Sequence, residues 1–164
     1  MIDIEYKILQ NTPLSSILLW KFVLSFEKNK NDDINIFVLL IILPIIYNTD
    51  SRKTLYSKKL KGGLYRAINE NKYIILGLQN KVNKMAVQTL RALNMACACG
   101  LLGYKNGLVF SIKKNINKYS LNKIEKGEVK EMIKVSEKLG YWFSQMTIDQ
   151  ICLTLGVDFY GYEN

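Results

Sequence analysis

The sequence predicts a mainly α-helical protein: a helical domain with a winged-helix-like unit built on a small β-hairpin, closed by a C-terminal helical pair. Three observations predict it. Apolar residues recur at helical spacing through "NKMAVQTLRALNMACACGLLG" and "IEKGEVKEMIKVSEKLGYWFSQ". Asn, Thr and Asp stand before the apolar runs, where helix caps belong. One Asn-Gly pair precedes an alternating stretch, the mark of a tight hairpin. A length of 164 residues suits one domain, 1–164. Its parts are a helical N-terminal part over 1–56, a basic winged-helix-like part over 57–118, and C-terminal helices over 124–160.

The first helix lies in "NTPLSSILLWKFVLSFEK", with Asn11 or Thr12 as cap and Pro13 in the first turn. Leu14, Ile17, Leu18, Phe22 and Val23 supply its apolar side. After the polar loop "KNKNDD", Asp32 or Asp33 is placed to cap a helix over Ile34 to Tyr47, bent or ended near Pro44. "NTDSRKTL" then offers Asn48, Thr49 or Asp50 as the cap of a short basic helix ending near Tyr56. The paired Gly62 and Gly63 weaken helix before two short pieces, "LYRAINEN" and "KYIILGLQNKV".

The strongest helix follows. Ala86, Leu90, Leu93, Cys97 and Leu101 define its expected inward face, and Lys84, Gln88 and Arg91 fall on another. It ends near Gly100 or Gly103. Asn106-Gly107 then turns into a strand through Leu108, Val109, Phe110, Ser111 and Ile112. Val129, Met132, Ser136, Leu139 and Phe143 form the seam of the next helix. Thr147 caps the last, "IDQICLTLG", which Gly156 closes.

The apolar run over 36–47 is too short to span a bilayer, which takes about 20 residues. Pro44 interrupts it, and Asp32, Asp33 and Asp50 flank it without a basic cuff. It is therefore core, with no membrane contact expected. The first residues carry Asp3 and Glu5 where a secretory leader would be basic. With 3 cysteines, an odd count, this favours a reducing, cytoplasmic setting.

Charge is concentrated. Residues 1–50 carry 4 Lys against 6 acids, and residues 125–164 carry 4 Lys against 7. Residues 51–124 carry 15 Lys or Arg against the single acid Glu70. A basic middle between mildly acidic ends implies a polyanionic or acidic partner for the middle. A helix pair, a longer helix and a basic hairpin follow the element order of a winged helix-turn-helix, used for major-groove reading or for protein docking. Lys84, Gln88 and Arg91 on the long helix, and Lys105, Lys113 and Lys114 on the wing, are the candidate DNA or partner contacts. Both uses stay open on the sequence alone.

Catalytic chemistry finds little support. There are 0 histidines, which removes Ser-His and Cys-His pairs and His-ligated metal sites. Cys97 and Cys99 lack a second pair to complete a zinc site, and the glycines of "GLLGYKNG" lack the terminal Gly-Lys-Ser/Thr of a phosphate loop. No enzyme activity, cofactor or metal is expected. Tyr141 and Trp142 are candidates for a subunit interface, with core as the competing assignment.

Three stretches, "NTPLSSILLWKFV", "LLIILPIIYNTDSRKTL" and "SEKLGYWFSQMTIDQICLTLGVDF", occur in this order between Asn11 and Phe159. They resemble the small middle component of three-component ABC-ATPase conflict systems, equivalent to the small subunit of Lamassu-type antiphage systems. Residues 57–125 match only in pattern. The resemblance implies a bacterial cytoplasmic subunit without activity of its own. It would bridge an SMC-like ABC ATPase that binds the ATP and an effector, commonly a nuclease, with DNA contact direct or through the complex. Arg52 and Lys53, in the basic half of the second stretch, are then candidate partner or DNA contacts. The competing expectation is a free-standing winged-helix transcriptional regulator that binds DNA as a dimer.

Overall fold

The computed structural model describes residues 11–115, 123 and 126–159. The leader expectation for the first ten residues, and residues 124, 125 and 160 of the expected C-terminal helices, lie outside these. Helix α1 (Thr12–Asn29) starts where Asn11 accepts a hydrogen bond from the Leu14 N–H (3.1 Å), with Pro13 in the first turn. It buries Leu18, Leu19, Trp20, Phe22, Val23 and Phe26, too broad a face for one neighbour, and so becomes the central helix.

Its neighbours are held by hydrogen bonds as well as packing. The Ser16 hydroxyl donates to the Ala92 carbonyl (3.0 Å), and the Ser136 hydroxyl to the Leu18 carbonyl (2.5 Å). The Ser25 hydroxyl donates to the Glu137 carbonyl (2.6 Å), and the Trp20 indole N–H to the Lys113 carbonyl (2.8 Å).

Asp32 and Asp33 do not cap the second helix. Ile34 and Asn35 are drawn into a short strand, β1 (Ile34–Asn35). Helix α2 (Ile36–Tyr47) therefore begins later, capped by Asn35, whose side chain accepts from the Phe37 N–H (3.0 Å). Pro44 neither ends nor interrupts it. The helix is buried from Ile41 through Tyr47, and that burial outweighs the one backbone bond proline forfeits. Asn48 caps α3 (Thr49–Ser57), and α4 (Gly63–Glu70) and a single 3-10 turn at Lys72–Ile74 follow.

The long helix α5 (Leu78–Ala98) leads into β2 (Leu102–Lys105) and β3 (Leu108–Ser111). The turn between the strands is Asn106 and Gly107, with φ of 53° and 78°, the left-handed pair a two-residue hairpin needs. The sheet is antiparallel in the order β1-β3-β2, with Ile34 opposite Val109 and Leu102 opposite Ser111.

Helix α6 (Gly127–Ser144) lies along α1, the largest contact between elements. Gly140 makes the approach close. A Cβ there would stand 2.5 Å from the Phe22 carbonyl oxygen. Helix α7 (Ile148–Leu155) carries the full capping box of Thr147 and Gln150 and ends on Gly156 at φ 65°. The expected class is what is found: mainly helical, with one small sheet and a C-terminal helix pair.

One polar group lies at the centre of this packing. Arg52, 1% exposed, donates from Nη1 to the Ile46 carbonyl (2.9 Å) and from Nε to Glu131 (3.1 Å), and pairs through Nη2 with Glu128. It thus ties α2, α3 and α6 together. This corrects Arg52 as a surface contact, because no face of its guanidinium reaches solvent. Lys53, its neighbour, is exposed. Replacing Arg52 with Ala should lower the unfolding free energy by about 3 kcal/mol, since it strands a buried carbonyl and separates two carboxylates from their cation. Lys53→Ala should stay within about 0.5 kcal/mol. Urea unfolding of both variants checks this, and equal midpoints would contradict it.

Candidate interaction surface

The candidate residues fall on two surfaces and in the core. Helix α5 turns Val82, Thr89, Ala92, Leu93 and Ala96 inward. Of the expected inward stripe, Leu93 is buried and Cys97 and Leu101 pack against the core, but Leu90 is 45% exposed while Thr89 is 1% exposed. The outer face carries Asn83, Lys84, Val87, Leu90, Arg91 and Asn94, with Gln88 half-buried at its side. Val87 is 58% exposed, so two cations flank an apolar strip.

The hairpin begins beside the end of α5. Its turn is docked on the start of α2, where the Ile36 N–H donates to the Gly107 carbonyl (2.9 Å). Lys105 projects before the turn, and Tyr104 and Ile112 stand more than half exposed. Lys113 is exposed, while its backbone carbonyl is held by Trp20. Lys114 is exposed but engaged: its ammonium donates to Glu27 (2.6 Å) and to the Ser111 hydroxyl (2.5 Å).

Glu27 is the anchor of the hairpin's last strand. It accepts from the Ser111 N–H (2.7 Å) and from the Ser111 hydroxyl, as well as from Lys114. Partial burial alone would push its carboxyl up. The bonds from Lys114 and Ser111 outweigh that and hold it below the usual carboxylate value.

Other shifted groups trace to packing. Burial raises the Tyr47 phenol against its bond from Ser15, and raises the Cys97 and Cys152 thiols. Burial, then repulsion from Lys134, lowers the Lys138 ammonium. Among the described residues, none of these clusters into a group able to hold a metal ion, and no helix is long and apolar enough to cross a membrane.

Of the aromatic pair, Trp142 belongs to the core. It is 5% exposed, its indole N–H donates to the Leu60 carbonyl (2.6 Å), and its ring lies where a Cβ on Gly63 would fall, 2.8 Å away. Trp142 is thus mostly core, the assignment that competed with an interface, with an edge in the hollow beside Leu60. Tyr141 is half-buried and reaches the surface.

A second basic surface was not singled out by sequence reasoning. Lys59, Lys61 and Arg66 line one hollow at the corner between α3 and α4, beside the Lys58–Glu70 ion pair. The absence of acids between Asp50 and Glu70 was the available signal.

The architecture defines a mainly helical protein that presents basic, partly apolar surfaces. The chain belongs to the ABC-three component (ABC-3C) system Middle Component 3 family, whose model matches residues 1–159. No curated protein and no solved structure matches it.

Because the folded-state value of Glu27 is depressed, its contribution to stability is present above the unfolded carboxylate value, about 4.3, and is lost as pH falls through the folded value. Amide exchange of Ser111 should therefore accelerate on acidification before the α1 core opens. Glu27→Gln should make that exchange insensitive to pH over the same window, once corrected for intrinsic rates. A pH-independent wild type would refute the anchor.

Proposed function

We propose that this chain is a non-catalytic subunit of a bacterial defence complex of the Lamassu type. In it the chain bridges an SMC-like ABC ATPase and an effector, commonly a nuclease, in the cytoplasm. Membership of a middle-component family is the observation that carries this reading. ATP is bound by the ATPase partner, and the effector performs the chemistry.

The outer face of α5 and the hairpin form the face that meets DNA or the DNA-bound ATPase. Two features support it. A strand between the first two helices joins the hairpin in a β1-β3-β2 sheet, the strand order of a winged-helix unit. Lys84 and Arg91 flank exposed Val87 and Leu90 on the long helix that such a unit presents. The same order favours a second reading, a free-standing winged-helix regulator. The two differ in assembly: a regulator dimerises and binds duplex alone, while a bridging subunit works inside its complex.

Co-expression with the neighbouring genes, followed by mass measurement of the purified assembly, separates them. The expected result is a stable complex with an ABC ATPase and an effector subunit. A lone homodimer that shifts short duplex DNA would replace this reading with the regulator. Within the complex, the triple change Lys84→Glu, Arg91→Glu and Lys113→Glu should weaken duplex binding by about tenfold or more and flatten its salt dependence, with assembly intact. Lys114 is left alone because it holds Glu27. An unchanged affinity and salt slope would remove DNA from the role of this face.

A further inference from the structure

The corner between α3 and α4 meets the C-terminal end of α6 in a groove that the reading above leaves unused. Three adjoining hollows compose it. The first is cationic, with Lys59, Lys61 and Arg66 on its walls. The second shares Lys61 and Gly63 with the first and is walled by Leu60, Tyr65, Tyr141 and Met146. The third shares Leu60 and Tyr141 with the second and reaches Lys28 and the Lys21–Glu137–Lys134 cluster. The shared residues place an aromatic and apolar middle, edged by Gln145 and Gln150, between two hollows that are lined by cations.

The apolar centre is held out to water. Leu60 is 44% exposed and Tyr65 56%. The loop that carries Leu60 is pinned from below: the Trp142 indole N–H holds its carbonyl, and the Lys138 ammonium donates to the carbonyls of Tyr56 (2.5 Å) and Lys58 (2.6 Å). Two long side chains, the buried Trp142 and the half-buried Lys138, are thus committed to presenting Leu60 in one position. A surface ordered in advance loses little entropy on binding.

We propose that this groove docks an acidic amphipathic helix of a partner protein. Its apolar stripe seats on Leu60, Tyr65 and Tyr141, and carboxylates along one edge face Lys59, Lys61 and Arg66. Carboxylates along the other edge face Lys28. The proposal rests on the chain's being a subunit of a larger assembly, and it names the chemistry of one partner. A nucleic-acid strand fits less well. Tyr65 and Tyr141 offer stacking faces, which makes a single strand the competing occupant, but Leu60 and Met146 in the same hollow bury apolar surface without stacking and favour the helix.

The test uses the complex with the co-encoded ATPase and effector subunits. A photocrosslinking residue in place of Leu60 should join a helical segment with acids on both sides of an i, i+3, i+4 apolar stripe. Leu60→Asp, and Lys61→Glu with Arg66→Glu, should each weaken binding of that subunit by about tenfold. Duplex binding by the α5 face should stay unchanged. Should Leu60→Asp lower the melting temperature, the exposed pair Lys61 and Arg66 decides. Crosslinking to a labelled 20-nucleotide single strand or to a second copy of this chain would overturn the proposal. So would full affinity in both variants. A wild-type chain that assembles with neither subunit sinks the subunit reading itself, whereas a wild-type complex indifferent to these changes sinks only the docking groove.

Discussion

The burial of the Arg52 guanidinium is the constraint on which the rest of this structure depends. A cation that leaves water must recover its hydration from fixed partners. Here it does so with one backbone carbonyl at the end of α2 and two carboxylates on the first turns of α6. Those partners set the angle at which α3 leaves the core and the place where α6 begins. From there α6 runs along α1, brought close by Gly140, and delivers Trp142 and Lys138 beneath the corner of α3 and α4.

The three stretches that carry the family resemblance lie on the helices of this core. They form α1, α2 with α3, and α6 with α7. They make up the helical scaffold, and the family match over residues 1–159 takes in the basic middle as well. The basic middle is mounted on that scaffold at two points, the pinned corner near Leu60 and the hairpin held by Glu27 and Trp20. Arg52 aside, which turns inward to Glu128 and Glu131, its described lysines and arginines lie at the surface, where Lys58 pairs with Glu70 and Lys114 with Glu27. A scaffold that fixes two separate cationic surfaces is suited to holding two different partners.

What was legible in the sequence followed from local chemistry. Asn11, Thr147 and the Asn106-Gly107 turn act within four residues of themselves, so each could be read in place. What was illegible depended on distant partners. Arg52 looked like a surface cation because Glu128 and Glu131 lie 76 and 79 residues away. Asp32 and Asp33 looked like caps because the pairing of Ile34 with Val109 is tertiary. Periodicity identified α5 as a helix and placed Leu93 inward, but it placed Leu90 there too. Packing of α5 against both α1 and α2 buries Thr89 and leaves Leu90 outside. The groove beside Leu60 was hidden for the same reason, since Lys61 and Tyr141 meet only when α6 is seated.

The central claim is that this chain is a preformed scaffold whose work is done by its surfaces. Hydrogen exchange followed by mass spectrometry, on the free chain and on the chain within its assembled complex, tests it most directly. The account predicts slow exchange in the α1 and α6 core in both states, with new protection confined to the corner at 57–66 and to the outer α5 and hairpin segments. Rapid exchange throughout the free core, or assembly that leaves both surfaces unprotected, would contradict it.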